Sequence, residues 1–132
     1  MVNADKRTVS KSWTGGQVKV LHRAALQPQV SRIFVHPAIK KALCEGAGKD
    51  RGWLGKVRPL WGHNYHFHIR IGCPKDSPEC KAQPVPPSDE GCGADLAWWF
   101  EKKNLAPSPG GVRKPLLMSA LPAACKQVLL AN

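Results

Sequence analysis

The run from His63 to Ile71 constrains the fold of this chain more than any other segment. From His66 onward, polar and apolar residues alternate over six positions, which is typical of a β-strand. Side chains two residues apart on a strand point the same way and lie about 6.5–7 Å apart. We therefore expect His66, His68 and Arg70 to share a polar face that lines a cleft. The opposite face is apolar and is expected to pack into the core; it comprises Phe67, Ile69 and Ile71.

Histidines are concentrated in this run. Three of the five histidines fall within six positions, at His63, His66 and His68. A single His-x-His pair is common and usually has no function, but two imidazoles on one rigid element can hold a metal ion together, or one can bind the metal while the other transfers protons. We therefore treat the three as a candidate site. His22 and His36 stand apart, and we expect both to be structural or surface residues.

The rest of the chain predicts an α+β fold. Residues 15–27 and 37–44 have helical patterns, with a strand pattern at 30–35 between them, because Pro28 ends the first helix and Pro37 suits the first turn of the second. Residues 53–62 read as a loop or an edge segment, and 94–100 as a helical turn. We expect a small, mostly antiparallel sheet with flanking helices and long disulfide-pinned loops, forming an incomplete domain.

The charge predicts an acidic partner without identifying it. Lys and Arg total 20 against 9 acidic residues, and a net charge of +11 attracts nucleic acid, anionic lipid or acidic cell-wall polymers. No RNA-binding signature accompanies the charge. No apolar run of about 20 residues exists, so no membrane span is expected.

The charge also suggests an alternative function, which is a basic non-catalytic module that binds cell-wall polymer or nucleic acid. Exposed Trp98 and Trp99 would support it, although core packing is the simpler expectation for both.

Five cysteines are many for 132 residues. No Cys-x-x-Cys spacing is present, so a disulfide framework is favoured over a zinc ribbon, and disulfides imply a secreted protein. Cys73 and Cys80 bracket a turn-rich segment that a disulfide could close. The odd count leaves one thiol over, which points to a partner outside this chain.

Two segments resemble the C-terminal part of the penicillin-insensitive murein endopeptidases. They are Trp61-Gly62-His63-Asn64-Tyr65-His66-Phe67-His68, followed by Arg70, and Cys73-Pro74-x-Asp76-Ser77-Pro78-Glu79-Cys80. The flanking segments agree, so the resemblance covers nearly the whole chain: Val2-Asn3-Ala4-Asp5, Arg32-Ile33-Phe34-Val35, Pro37-Ala38-Ile39-Lys40-Lys41 and Gly91-Cys92-Gly93-Ala94.

The resemblance implies a zinc metallopeptidase of the group that includes D-Ala-D-Ala metallopeptidases and lysostaphin-type enzymes. Such enzymes are periplasmic and hydrolyse the peptide cross-links of peptidoglycan. The resemblance makes His68 a zinc ligand, His66 a catalytic base or transition-state partner, and His63 a further active-site histidine. It implies the disulfides Cys44–Cys92 and Cys73–Cys80, with Cys125 unpaired here. Nucleic acid is then not expected as a partner.

The resemblance also implies that this chain lacks two zinc ligands. The family has a histidine and an aspartate seven residues after it, and no histidine of this chain has an aspartate at that spacing. We expect the missing N-terminal part to supply this pair. The polar start at Met1 is not a signal peptide, so we expect a signal peptide in the missing part too. Residues 1–104 would then be the C-terminal part of the catalytic domain, and 105–132 a Pro/Gly-rich tail packing back on it.

Overall fold

A computed structural model describes residues 1–105, 115 and 117–131 of the chain. Its fold is α+β, as predicted. The helices are α1 (Gly15–Leu26), α2 (Pro37–Gly46), α3 (Ala94–Trp98), α4 (Lys102–Leu105) and α5 (Ala123–Leu130). The strands are β1 (Val30–Val35), β2 (Val57–Pro59) and β3 (His68–Ile71), and two short 3₁₀ helices span Gly52–Lys56 and Met118–Ala120.

The three strands form one mixed sheet in the order β2-β1-β3. β1 runs parallel to β2, with Ile33 opposite Val57, and antiparallel to β3, with Ile33 opposite Ile69. The expectation of a mostly antiparallel sheet is therefore wrong for β2. That strand lies in the segment predicted as a loop or edge, and its three residues are too few to show an alternating pattern.

Local signals explain why α1 and α2 begin where they do. The Thr14 hydroxyl oxygen accepts a hydrogen bond from the Gly16 N–H, while the Gln17 side chain accepts one from the Thr14 N–H at 2.8 Å. At α2, Pro37 occupies the first turn and His36 Nδ1 accepts the Ala38 N–H at 3.1 Å. These partners satisfy backbone donors that a helix start leaves free. The two predicted helices and the predicted strand β1 are confirmed.

The core lies between the helices and the β1–β2 part of the sheet. Its buried residues are Leu21, Ala25, Val30, Ile33, Val35, Ile39, Leu43, Trp53, Leu54 and Val57. These side chains come from α1, β1, α2, the first 3₁₀ helix and β2, so the N-terminal 60 residues provide the whole of this cluster.

A buried lysine lies next to this core. Lys40 is fully buried, and its Nζ donates to the carbonyl oxygens of Leu54 (2.8 Å) and Glu90. Burial lowers its pKa to about 8. Arg51 pairs with the Glu90 carboxylate at 2.8 Å, and the disulfide Cys44–Cys92 ties α2 to the same loop. We call these groups the Lys40 junction.

β3 is an edge strand, and it is more exposed than the sequence predicts. Phe67, Ile69 and Ile71 are 38%, 45% and 55% exposed, so the expectation that they pack into the core is wrong. Ile69 lies opposite the fully buried Ile33, yet the core cluster contains no β3 residue. The strand is also shorter than predicted, because its pairing with β1 begins at His68.

The predicted tail, 105–132, falls partly outside the described residues, since 106–114, 116 and 132 are not described. Whether it packs back on the rest of the domain therefore stays a prediction. Within the described part, α5 carries exposed apolar side chains at Val128, Leu129 and Leu130. Among the described helices, none is long and apolar enough to cross a membrane.

Candidate active site

The three histidines singled out in the sequence meet in one cluster. The ring centroids of His63 and His68 lie 4.6 Å apart, and each lies 5.0 Å from that of His66. One ring nitrogen from each residue lies within 4.8 Å of the others. The predicted common location of His66 and His68 is thus observed, although only His68 belongs to the strand.

The sheet fixes the position of His68. Its Cα pairs with that of Phe34 in the antiparallel β1–β3 ladder, which places the imidazole on the Phe34 side of the sheet. The rings of Phe34 and His63 lie 6.4 Å apart on that side. His66 precedes the strand and packs against Tyr65, with 5.0 Å between the ring centroids. Both His66 and His68 are more exposed than His63.

His63 is the buried member of the cluster, and a backbone carbonyl fixes the position of its ring. It is 5% exposed, and its Nδ1 lies 2.9 Å from the Trp61 carbonyl oxygen. A carbonyl oxygen only accepts hydrogen bonds, so Nδ1 carries the proton in the neutral ring. Nε2 is then left with its lone pair, and it is buried without a hydrogen-bond partner among the described residues. Gly62 has φ +83°, the left-handed region, which lets the backbone turn tightly between Trp61 and His63.

Two aromatic rings pack against the side chain of Trp61, the residue whose carbonyl holds His63. The Trp61 ring lies edge-on to His36, with 5.1 Å between centroids, and edge-on to Trp99 at 5.5 Å. His36 is completely buried, and burial, with smaller contributions from the charges of Lys6 and His63, lowers its pKa to about 4. His36 is therefore neutral at pH 7, as its role as an acceptor at the start of α2 requires.

The donor set fits a transition-metal ion such as zinc. Neutral imidazole is a favoured zinc ligand, and metal-binding histidines usually donate their second ring N–H to a carbonyl or carboxylate. His63 has this arrangement, with Nδ1 on Trp61 and an unpartnered Nε2. No Asp, Glu or Cys joins the three histidines in the described part of the chain. The cluster by itself therefore offers nitrogen ligands alone.

An apolar cavity borders His66. It has a volume of about 540 Å³ and opens between α1 and the segment that leads into β3. Trp13, Val20 and Leu21 contribute one wall, and Tyr65 and Phe67 lie on the His66 side. A hydrophobic recess beside a group of titratable side chains is a common form of ligand site.

The remaining residues singled out in the sequence lie away from the cluster. His22 Nε2 lies 3.1 Å from an Asp50 carboxylate oxygen, beside Trp53, as a structural histidine would. The disulfides are Cys44–Cys92 and Cys73–Cys80, the pairs that the resemblance implied. Cys125 is exposed and unpaired in the described part of the chain.

The two tryptophans differ from each other. Trp99 is partly buried against Trp61, whereas Trp98 is 47% exposed, so core packing is the wrong expectation for Trp98. Sequence reasoning also missed Trp61 itself, whose carbonyl holds His63. The signal for it was the glycine that follows, because a tight turn at Gly62 brings the carbonyl back onto the imidazole.

Comparison with known proteins identifies the family. The sequence profile of the penicillin-insensitive murein endopeptidases matches residues 1–130. The penicillin-insensitive murein endopeptidase of Haemophilus influenzae is 45% identical over 125 residues, covering 94% of this chain and 42% of that protein. That of Yersinia enterocolitica is 47% identical over 133 residues, covering 100% and 46%, and that of Escherichia coli K12 is 46% identical, covering 94% and 44%. The chain thus spans less than half the length of these relatives. It belongs to the penicillin-insensitive murein endopeptidase family.

Proposed function

We propose that this chain forms part of a zinc-dependent murein endopeptidase that hydrolyses peptide cross-links between the glycan strands of peptidoglycan. One observation carries the proposal: three imidazoles converge, and the buried one keeps an unpartnered Nε2. The relatives are named murein endopeptidases, which supplies the substrate class. Peptidoglycan lies outside the inner membrane, so we place the protein in the periplasm. Its two disulfides agree with an oxidising compartment.

Each histidine receives a separate role in this proposal. His68, fixed by the sheet, is the metal ligand. His66 precedes the strand, so the sheet does not fix its side chain. We assign it the transfer of a proton from the attacking water to the leaving amine. His63, held by Trp61 through Nδ1, is a further active-site histidine, and its unpartnered Nε2 is available to bind the substrate.

A zinc ion, when bound, supplies Lewis acidity and makes water a better nucleophile near pH 7. The chain's own contribution is an apolar wall beside His66. The apolar cavity next to His66 offers a place for an apolar part of the substrate, and a substrate seated there displaces water from one side of the histidines. No serine or cysteine nucleophile is needed for this reaction.

We further propose that a histidine and an aspartate from outside this chain complete the zinc site. Only nitrogen ligands cluster in the described residues, and the spacing search finds no His and Asp seven residues apart. The same outside segment would cover the apolar side of β3, where Ile69 and Ile71 are exposed. This chain alone is then expected to hold zinc weakly.

A chimera tests the assignment. The corresponding C-terminal segment of the Haemophilus influenzae relative is replaced by residues 1–132, and hydrolysis of a cross-linked muropeptide is followed by chromatography. We expect the chimera to cleave the cross-link and the His68→Ala chimera to have no measurable activity. The matched control is His22→Ala, which removes a histidine outside the cluster.

Three results would each contradict a different part of the proposal. A chimera that folds, forms both disulfides and leaves the cross-link intact would contradict the murein endopeptidase assignment. Hydrolysis that survives His68→Ala would contradict the role of the cluster. Tight zinc binding and hydrolysis by residues 1–132 alone would contradict only the need for ligands from outside.

A second candidate is a basic non-catalytic module that binds cell-wall polymer or nucleic acid. The observation in its favour is the exposed Trp98 on a chain of net charge +11. It predicts salt-sensitive binding to DNA or to an acidic polymer that falls on Trp98→Ala and does not respond to His68→Ala. The endopeptidase proposal predicts the opposite dependence on His68.

A further inference from the structure

Two arginines lie on the same side of the sheet as the histidine cluster. Arg32 and Arg70 are direct partners in the antiparallel β1–β3 ladder, and Phe34 and His68 are the next pair that points the same way. The guanidinium of Arg32 lies over the Phe34 ring, 5.7 Å from its centroid. The arginine pair is therefore displaced from His68 along the strand by about 6.5–7 Å.

This arrangement places like charges together without a counter-ion. Directly opposed like charges on paired strands are destabilising. The two arginines line a cavity of about 400 Å³, with Lys56 on another wall and the proline-rich segment 83–88 closing one side. None of the residues that line this cavity is acidic. Among the described residues, neither Arg32, Arg70 nor Lys56 forms an ion pair.

Hydrogen bonds hold the residues that line this cavity. Arg32 Nη2 donates to the Pro84 carbonyl oxygen at 2.9 Å, which fixes the guanidinium against the proline-rich segment. Lys56 Nζ donates to the Gln27 carbonyl oxygen at 3.1 Å. The Ser31 hydroxyl donates to the Arg70 carbonyl oxygen at 3.0 Å, so the Arg70 backbone is held while its guanidinium has no acceptor in the described part of the chain.

We propose that Arg32 and Arg70, assisted by Lys56, bind a carboxylate group of the substrate peptide and thereby set which bond lies at the histidines. The inference rests on the proposed function, because that function makes the ligand a peptide. A guanidinium group binds a carboxylate with two parallel hydrogen bonds. Here the guanidinium groups of Arg32 and Arg70 would both contact the same carboxylate. An extended peptide advances about 3.3–3.6 Å per residue. The bound carboxylate therefore belongs to a residue about two positions from the bond that is cleaved.

A binding measurement tests this site without relying on hydrolysis. The full chain is titrated with N-acetyl-trialanine bearing a free C-terminal carboxylate and, separately, with the same peptide as its C-terminal amide, and Kd is read from NMR shifts. We expect the acid to bind more tightly than the amide. Arg70→Gln and Arg32→Gln each raise the Kd for the acid about tenfold and leave the amide unchanged. Arg70→Lys, which keeps the charge and loses the paired geometry, falls between.

Arg7→Gln is the matched control. Arg7 is exposed, carries the same charge and lines a different cavity, so its substitution should leave the Kd for the acid unchanged. Equal binding of acid and amide would overturn the proposal. So would a loss in Arg7→Gln as large as that in Arg70→Gln, because the effect would then come from the overall field. Dispersed NMR spectra of both arginine variants confirm that they are folded.

The outcome is separable from that of the proposed function. If the chimera hydrolyses muropeptides and the acid binds no better than the amide, the carboxylate site alone is wrong. If the acid binds through Arg32 and Arg70 and the chimera is inactive, the endopeptidase assignment is wrong and a carboxylate-binding cavity remains.

Discussion

The Lys40 junction and the histidine cluster, in the same small domain, differ in whether their buried polar groups have partners. At the junction, the buried Lys40 ammonium donates to two carbonyl oxygens, and Arg51 is paired with Glu90. At the cluster, His63 Nε2 is buried without a partner among the described residues, and β3 beside it is exposed. Polar groups satisfied inside the chain stabilise the fold. Three converging imidazoles with no acidic group among them in the described residues form an arrangement that a metal ion would complete.

The contrast predicts that substitutions in the cluster affect chemistry while those at the junction affect stability. His66→Ala should lower the rate of muropeptide hydrolysis by the chimera about 10²–10⁴-fold, because a proton-transferring group contributes about that factor. The free energy of unfolding should change by less than about 0.5 kcal/mol, since this side chain is outside the core. Steady-state kinetics and urea denaturation of the same variant measure the two effects.

His22→Ala is the comparison for that variant. It removes an imidazole that pairs with Asp50 and packs on Trp53, so the stability should fall while the rate stays within about twofold. If His66→Ala unfolds the protein and His22→Ala abolishes hydrolysis, the histidine cluster is not the region that performs the chemistry.

The two disulfides are expected to differ in how much they stabilise the fold. Cys44–Cys92 closes the junction across a sequence separation of 48, whereas Cys73–Cys80, just after β3, spans only 7. Loop-closure entropy then predicts a loss of about 4 kcal/mol for Cys44→Ser with Cys92→Ser, and of about 2 kcal/mol for Cys73→Ser with Cys80→Ser. Chemical denaturation of both double variants measures the losses. Equal losses would show that the short loop carries structure beyond its closure.

Acid should destabilise the fold through His36, which lies between the two regions. The folded protein keeps His36 neutral until its lowered pKa of about 4, whereas the unfolded chain takes up the proton near pH 6.5. The unfolded state therefore binds more protons between these values, and stability falls as pH falls from 6.5 to 4, by about 3 kcal/mol at most. Denaturation measured across this range gives the slope.

His36→Asn is the control for the pH effect. Asparagine retains an oxygen acceptor at the start of α2 and does not titrate in this range. The variant should lose most of the stability change between pH 6.5 and 4. An unchanged slope would mean that the acid sensitivity comes from other groups, such as the carboxylate of Glu90, whose pKa is lowered by Arg51.

Sequence reasoning succeeded where a local signal determines the structure. Thr14 and Pro37 mark the helix starts, and the alternation around Ile33 marks β1, so these elements were predicted within about two residues. The histidine cluster was predicted because its members are close in sequence. The pairing of Cys44 with Cys92 followed from the family resemblance rather than from spacing.

Sequence reasoning failed where residues distant in sequence determine the structure of a segment. β2 is a strand only because β1 pairs with it in parallel, and three residues carry no periodicity. Ile69 is exposed because the core cluster packs on β1 and β2 and does not extend to β3, and the alternation within one strand does not show what covers it. The burial of Lys40 depends on carbonyl oxygens 14 and 50 residues away, and a lysine is normally expected at the surface.

Metal binding by the cluster is best tested by observing the histidine ring nitrogens while zinc is added. Long-range ¹H–¹⁵N NMR spectra of this chain resolve the imidazoles, and they remain informative when binding is weak. We predict that zinc shifts the ring nitrogens of His68 first, with smaller changes at His63 and His66, and leaves His22 and His36 unchanged. Equal shifts at His22, or no shift at His68 at millimolar zinc, would contradict the assignment of the cluster as a metal-binding active site.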